Sequence, residues 1–391
     1  MKAFFRNIHL YLSLAAGLVI VVACFTGAVL VFEDELQHAF NKERYFVQPQ
    51  PQQLPIEVLV KKLKQAVPLA KINSVKIYAN TSRTVEISYS EKKPNSDQKN
   101  NSAIVDKRKK ENSNNTTKKA QQDGTKIIAF VNPYTGNIVE LYNYKNSFFF
   151  TMMSLHRWLL SGDVGKLIVG ISTLLFLFIL ITGLILWWPK TKAILKQRLN
   201  IKFAAGWKRI NHDLHIVLGF YTAIFLFIFA FTALAWSFQW FNDGIYTVTN
   251  STKEQPKPPI SSYETLNNKL VKVDSVYRLA KATIQEAQYY TIQLPKDSVG
   301  VFTVQVLTKT ALHETATDSY YFNQYSGNLL NSVKFADKNL GQRVRATFKP
   351  IHLSSIFGLP SKIIGFIVCL LGVSFPITGT IMWLNRIKKK K

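Results

Sequence analysis

Two pairs of histidines recur along the chain at constant offsets. His156 and His352 lie at the start of LHRWLLSGDVGKLIVGISTLLFLFILITGLILWW and IHLSSIFGLPSKIIGFIVCLLGVSFPITGTIMWL, which align without gaps at an offset of 196 residues. His9 and His215 are related by a weaker repeat at an offset of 206 residues. Residues related by such repeats meet across a pseudo-twofold axis. We therefore expect each pair to bring two imidazoles face to face.

Haem ligation is the chemistry that suits such pairs. Two opposed neutral imidazoles are axial ligands of haem iron, and helix bundles build such sites from facing helices. The sequence has no Cys-x-x-Cys-His motif, which excludes covalent c-type attachment. Zinc is disfavoured because no Cys, Asp or Glu recurs beside either pair. The pattern predicts two non-covalent b-type haems, each held by two histidines: His9 with His215, and His156 with His352.

Four further polar residues lie close to these pairs in the sequence. His212 is three residues before His215 on the same helical face, so it can replace His215 as the ligand or bond a haem propionate. Arg157, Lys166 and Lys362 lie near the second pair. These cations either bind propionates or an anionic substrate, or they are interfacial side chains whose stems follow apolar surface.

Threonine–glycine pairs recur within the apolar segments and begin at Thr26, Thr182 and Thr378. Glycine there lets a flat macrocycle approach the backbone, or else the small residues serve ordinary helix packing. Both interpretations are compatible with the pattern. His38 and His313 have no repeat partner, and we expect both at the surface.

Four apolar runs are long enough to cross a bilayer, at about 10–32, 167–188, 216–240 and 363–384. The first contains VVAC, which resembles a lipoprotein cleavage box. However, the apolar run continues past Cys24 to a cluster of acids that begins at Glu33, which favours a retained helix over a signal peptide. Cys24 and Cys369 both lie inside apolar runs and are interpreted as small buried hydrophobes.

The short basic segments indicate the orientation of the chain. The N-terminus, the segment 191–214 and the C-terminal tail are rich in lysine and arginine, which places them in the cytoplasm by the positive-inside rule. The two long segments are then external, in the periplasm of a bacterial inner membrane. A net charge of +26 can also indicate nucleic-acid binding. Membrane electrostatics explain it better, because the excess lies beside apolar runs, in a low-complexity stretch and in the external segments.

Each external segment has the pattern of a small α+β module. Helical spacing at 54–67 and 275–287 is followed by strand-like alternation, and VNPYTGNIVE matches FNQYSGNLLN as a turn between two strands. Residues 91–124 are nearly all polar and are interpreted as a disordered insertion. The predicted fold is a membrane protein with a four-helix bundle of two repeated two-helix units and two external α+β modules.

The predicted domain boundaries follow the spans. They are 1–32 (N-terminus and first span), 33–150 (first module), 151–190 (interfacial segment and second span), 191–214 (cytoplasmic loop), 215–240 (third span), 241–347 (second module) and 348–391 (interfacial segment, fourth span and tail).

The repeated His…Gly…Lys…Thr-Gly spans, with paired Asn-x-Tyr-[Thr/Ser]-Gly turns between them, resemble the PepSY-associated transmembrane family. This family of bacterial inner-membrane proteins includes iron-regulated proteins and ferric-siderophore reductases. The resemblance implies two periplasmic PepSY modules and a di-haem core that moves electrons outward to reduce Fe(III). It assigns His9 and His215 (or His212) to the inner haem, and His156 and His352 to the outer haem. Ser13, where the third span has Gly219, departs from the repeat.

The leading hypothesis is a haem-dependent reductase of ferric siderophore or ferric iron that serves iron acquisition. The sequence has no Gly-x-Gly-x-x-Gly after a strand on the cytoplasmic side, so the electron donor must be a quinol, a reduced flavin or a separate protein. The alternative is a non-catalytic PepSY protein, anchored in the membrane, that binds or regulates a periplasmic partner. A transporter is disfavoured because the spans contain no acids and no broken helices.

Overall fold

The computed structural model describes residues 2–91, 126–262, 270–284 and 286–388. In chain order its helices are α1 (Lys2–Val31), α2 (Glu33–Phe40), α3 (Lys42–Tyr45), α4 (Ile56–Ala66), α5 (Phe148–Trp158), α6 (Gly162–Trp187), α7 (Lys192–Arg198), α8 (Trp207–Asp213), α9 (Gly219–Ser237), α10 (Gln239–Val248), α11 (Val273–Thr283), α12 (Leu340–His352) and α13 (Leu359–Lys388). Its strands are β1 (Ala70–Tyr78), β2 (Val85–Glu91), β3 (Lys126–Val131), β4 (Ile138–Tyr142), β5 (Ala287–Gln293), β6 (Val301–Thr308), β7 (Asp318–Asn323) and β8 (Leu329–Val333).

Among the described residues, four helices are long and apolar enough to cross a membrane: α1, α6, the continuous helix Trp207–Ser237 and α13. They have 26 to 31 residues. At about 1.5 Å per residue each exceeds a hydrocarbon core of about 30 Å. Each overlaps one predicted span, so the prediction of four spans is confirmed. α1 and α9 each pack against both α6 and α13, which puts α1 and α9 at opposite corners of a bundle.

The third spanning helix contains a π-helical turn, Leu214–Leu218, between α8 and α9. Such turns are uncommon inside α-helices and are frequent at functional sites. Next to it, the fully buried carboxylate of Asp213 accepts hydrogen bonds from Arg209 Nε (2.9 Å) and from the backbone N–H of Lys202 (3.3 Å). These bonds tie the basic loop before α8 to the end of the bundle.

Two short helices, α5 and α12, precede the second and fourth spanning helices. Each ends in a tight turn that includes left-handed backbone, at Leu159 and Leu160 after α5 and at Ser354 after α12. Gly162 and Gly358, which the repeat aligns, both have positive φ (56° and 67°), a conformation that glycine adopts without strain. The turns let α5 pack against α1, and α12 against α9.

The two long segments between spans form one antiparallel sheet with the strand order β4-β3-β2-β1-β5-β6-β7-β8. The two segments have mirror-related orders, because β1 to β4 run outward on one side of the centre and β5 to β8 on the other. At the centre β1 pairs with β5, and Val75 lies opposite Ile292. Both side chains are fully buried in a core beneath α4 and α11. Those two helices cap each other, because Asp274 Oδ1 accepts from the Ile56 N–H (3.2 Å) and Glu57 Oε1 accepts from the Asp274 N–H (2.9 Å).

The two predicted modules stay a prediction, and the structure adds that β1 and β5 join the two segments in one continuous sheet. Two further expectations differ from the structure or lie outside the described residues. The predicted helix 275–287 is wrong at its end, since α11 stops at Thr283 and β5 begins at Ala287. The predicted insertion, 91–124, lies outside the described residues except for Glu91, which ends β2. It falls in the connection between the paired strands β2 and β3.

His313 was expected at the surface, but only 9% of it is exposed. It lies between β6 and β7, where its Nδ1 is 2.9 Å from Thr315 Oγ1 and its ring packs against Phe335. The prediction of an exposed His313 was wrong because the connection between β6 and β7 packs on Phe335. A repeat pattern gives no information about such packing. His38 is half-buried, with its ring centre 4.3 Å from that of Tyr45.

Candidate functional site

The four repeat-matched histidines form two facing pairs in the bundle. The ring centres of His9 and His215 are 6.4 Å apart with planes at 84°, and those of His156 and His352 are 6.0 Å apart at 59°. All four side chains are partly buried. Within the described ranges, no group of three or more His, Cys, Asp or Glu side chains has metal-binding geometry. Each pair therefore offers two imidazoles and, among the described residues, no third side chain of these types.

Every one of these imidazoles is clamped at Nδ1 by a neighbouring helix. His156 Nδ1–H donates to the carbonyl of Ala23 (2.9 Å) and to Thr26 Oγ1 (3.2 Å). His352 donates likewise to Phe229 O (3.0 Å) and Thr232 Oγ1 (3.1 Å), and His9 to Ile179 O (3.1 Å) and Thr182 Oγ1 (3.1 Å). His215 donates to Thr378 Oγ1 (2.8 Å).

These bonds fix which ring nitrogen carries the proton. A backbone carbonyl only accepts, and the Thr26 hydroxyl already donates to Val22 O (2.7 Å), so the proton must be on the histidine Nδ1. The lone pair is then on Nε2, the tautomer of a metal-binding imidazole whose other nitrogen is held by a hydrogen-bond acceptor.

Glycines leave room for three of the rings. A Cβ on Gly27 would lie 3.3 Å from His156 Cε1, one on Gly183 would lie 3.2 Å from His9 Cε1, and one on Gly379 would lie 3.3 Å from His215 Cε1. The glycine of each Thr-Gly pair thus admits an imidazole from another helix. At the fourth clamp the residue after Thr232 is Ala233.

The inner pair faces a cavity of about 550 Å³ that is enclosed mainly by apolar side chains. His9, His215, Gly183 and Gly379 line it, as do Ser13 and its repeat partner Gly219. His212 also lines it, but its side chain is 48% exposed and its Nδ1 lies 3.4 Å from Asp213 Oδ1. In this geometry His215, and not His212, faces the ring of His9.

A family model described as PepSY-associated TM region matches residues 6–386 of the chain. The chain belongs to this family. Among curated proteins, no match to the chain was found. The matched region of this PepSY-associated TM region protein includes all four clamped histidines and the whole sheet.

The outer pair, His156 and His352, lies just outside the spanning helices. Burial lowers the pKa of His156, and burial with the neighbouring imidazole lowers the pKa of His352 to about 4, which favours the neutral form of both rings. Trp236 packs against His352 with ring centres 5.4 Å apart, and the Arg345 guanidinium lies 4.9 Å from the centre of the Trp236 ring.

The three cations that the sequence places near the outer pair have different environments. Arg157 is exposed and lies 5.5 Å from the ring centre of Trp158, and Lys166 is exposed. Lys362 is mostly buried and forms an ion pair with Glu35, with Nζ 2.7 Å from Oε1. Of these three, Arg157 and Lys166 are the more accessible to an anion.

The histidines fit haem. Two imidazoles on opposite sides of one metal, each at a metal–nitrogen distance of about 2 Å, have ring centres about 6 Å apart. Both pairs have this spacing. The four Nδ1 clamps leave four Nε2 lone pairs, and the inner cavity is within the usual range of cofactor pockets, about 300–1,000 Å³.

Sequence reasoning found the histidines but not their supports. The Thr-Gly repeat indicates the positions of these supports. From the sequence it predicts either close approach of a macrocycle or helix packing, whereas in the structure the threonine and the glycine contact an imidazole. Four further residues line the cavity but are not among the site residues predicted from the sequence: Trp187, Arg6, Arg198 and Arg386.

Proposed function

We propose that this chain is a di-haem transmembrane electron-transfer protein that reduces ferric siderophore or ferric iron in the periplasm for iron acquisition. The observation that carries the proposal is the clamp. Four histidines, two from each half, are held at Nδ1 by another helix and face each other in pairs. A membrane anchor has no use for four such imidazoles.

The chain's own residues would hold the two haems in place. His9 and His215 would bind one, and His156 and His352 the other. The carbonyl and threonine acceptors keep the Nδ1 proton in position, which orients each ring and raises the basicity of Nε2. His215 is favoured over His212 because only its ring faces His9. Haem supplies one-electron redox chemistry, which the protein tunes through ligands, burial and access.

The two pairs lie at different depths of the bundle. His9 is on α1, and so is Ala23, which clamps His156 fourteen residues later, or about 21 Å along the helix. With the basic loop and tail in the cytoplasm, the His9 end is the inner one. One electron from a quinol, a reduced flavin or a donor protein would enter there. Fe(III) docked outside, near proposed PepSY modules in the sheet, would take it up and become Fe(II).

The decisive experiment is a haem count on the purified full-length chain. We expect two haems per chain by pyridine haemochrome analysis and a low-spin b-type spectrum after reduction. The double variant His156→Ala/His352→Ala should retain one, while His38→Ala should retain both. A colourless protein that captures a periplasmic partner would instead support the non-catalytic binding protein.

A further inference from the structure

The inner cavity has a cationic end. Three arginines line it, and all lie on the side of the histidines that faces the basic loop and tail: Arg6, Arg198 and Arg386. Arg6 is one helical turn before His9, and Arg386 is about two turns beyond Gly379. Across the described ranges, no carboxylate forms an ion pair with Arg6 or Arg386. Their charge is thus available to an occupant of the cavity.

The third arginine is held in place by the fold. Arg198 Nη1 donates to the carbonyls of Leu186 (3.0 Å) and Trp187 at the C-terminal end of α6. A cation is favourable there because the helix leaves its last carbonyls unpaired. An arginine has five N–H donors, so Nε and Nη2 are left for a further acceptor.

Trp187 supplies a buried donor at the same place. Only 8% of it is exposed, its ring stacks on Phe220 at 3.6 Å, and it lies one turn after Gly183, which contacts His9. Its Nε1–H has no acceptor among the residues that the structure describes. A buried N–H without an acceptor is rare in folded proteins, so the cavity's occupant is the natural source of one.

We propose that Arg6, Arg386, the free edge of Arg198 and Trp187 Nε1–H form a carboxylate site that binds the propionates of the inner haem. This proposal rests on the proposed function. The cavity is apolar beside the histidines and cationic at one end, so its occupant needs an apolar body with anions along one edge. Charge-assisted bonds from arginine suit that edge. The propionate edge of the inner haem would then face the cytoplasm.

The test compares two porphyrins on the full-length His156→Ala/His352→Ala variant, which keeps only the inner site. The haem-free protein is titrated with haemin and with haemin dimethyl ester, which lacks the carboxylates, and binding is followed by the Soret band. We expect haemin to bind at least about tenfold more tightly, since its carboxylates accept charge-assisted hydrogen bonds from arginine that the uncharged ester cannot form.

Arg6→Gln/Arg386→Gln should remove that preference, and Trp187→Phe should reduce it while retaining the stack on Phe220. Lys192→Gln, an exposed cation in α7 that does not line the cavity, is the matched control and should keep it. Equal affinity for both porphyrins overturns the carboxylate site alone, and this comparison needs no arginine variant to fold. Failure of the unmodified chain to bind any haem overturns the proposed function as well.

Discussion

The inner and outer histidine pairs both consist of facing imidazoles held at Nδ1, but different helices position them. His9 and His215 belong to the spanning helices themselves. His156 and His352 lie on α5 and α12, short helices that are joined to the spans by tight turns. A threonine hydroxyl accepts from Nδ1 at all four histidines, and a backbone carbonyl also accepts at three of them. The inner site is therefore a property of the bundle, whereas the outer site also depends on the elements that lead into α5 and α12.

The sheet region contacts α12, the helix that carries His352. Thr315, between β6 and β7, donates from Oγ1 to Ala346 O in α12 (2.8 Å), and Lys349 Nζ lies 3.5 Å from Glu314 Oε1. Lys349 is three residues before His352. We therefore expect changes in the sheet to affect the outer histidines more than the inner pair.

The largest expected effect is at the inner pair. His215→Ala should abolish the inner haem, because it removes the imidazole that faces His9, while His212→Ala should retain both haems. Haem per chain and the reduced spectrum measure this. If His212→Ala loses a haem and His215→Ala does not, the inner site has a different ligand and its symmetry with the outer site is broken.

The clamps should matter equally at both sites. Thr182→Val at the inner site and Thr26→Val at the outer site keep side-chain volume but remove an acceptor for Nδ1–H. Groups that hydrogen-bond a metal-binding histidine typically contribute about 10- to 100-fold in affinity, so we expect about a tenfold faster loss of the corresponding haem. Transfer of haem to apomyoglobin measures this loss. Thr173→Val, on α6 but bonded only within its own helix, is the control.

The link to the sheet should affect the outer haem alone. Thr315→Val removes one hydrogen bond to α12, worth about 1 kcal/mol, so the outer haem should be lost about fivefold faster while the inner haem is unchanged. Glu314→Gln should have a smaller effect in the same direction, since its ion pair with Lys349 is partly exposed. Glu43→Gln, an exposed acid in α3, is the control. Equal loss of both haems would show that the sheet does not act through α12.

The smallest effect is expected at the glycines. Gly27→Ala places a Cβ 3.3 Å from His156, so the ring must shift by a few tenths of an ångström. The corresponding position beside His352 already holds Ala233, which indicates that the shift is tolerated. We expect both haems to bind and only the low-spin EPR signal of the outer haem to move. Gly244→Ala, which meets nothing within 4 Å, should leave the signal in place.

The sequence predicted the parts of this molecule that depend on hydropathy and repetition. The four spans follow from long apolar runs, and the facing of His156 and His352 follows from the offset between them. The clamps could not be predicted in the same way, because the acceptors at three of the four histidines include a backbone carbonyl. Every residue has one, so Ala23 and Phe229 give no signal in the sequence.

Contacts between distant segments were also beyond sequence patterns. Alternation predicted the strands but not that β1 pairs with β5. Each strand alone is compatible with an edge position in its own module. His313 is buried because the turn between β6 and β7 packs near Phe335. Local sequence periodicity does not predict that contact.

The central pairing of β1 with β5 has a consequence for how the chain is made. β5 is synthesised roughly two hundred residues after β1, and two spanning helices are inserted between them. At about 5–20 residues per second, the β1 edge waits roughly 10–40 s for its partner. An unpaired strand edge can pair with another chain. During synthesis the exposed edge of β1 must therefore be kept from pairing with neighbouring nascent copies until β5 is made.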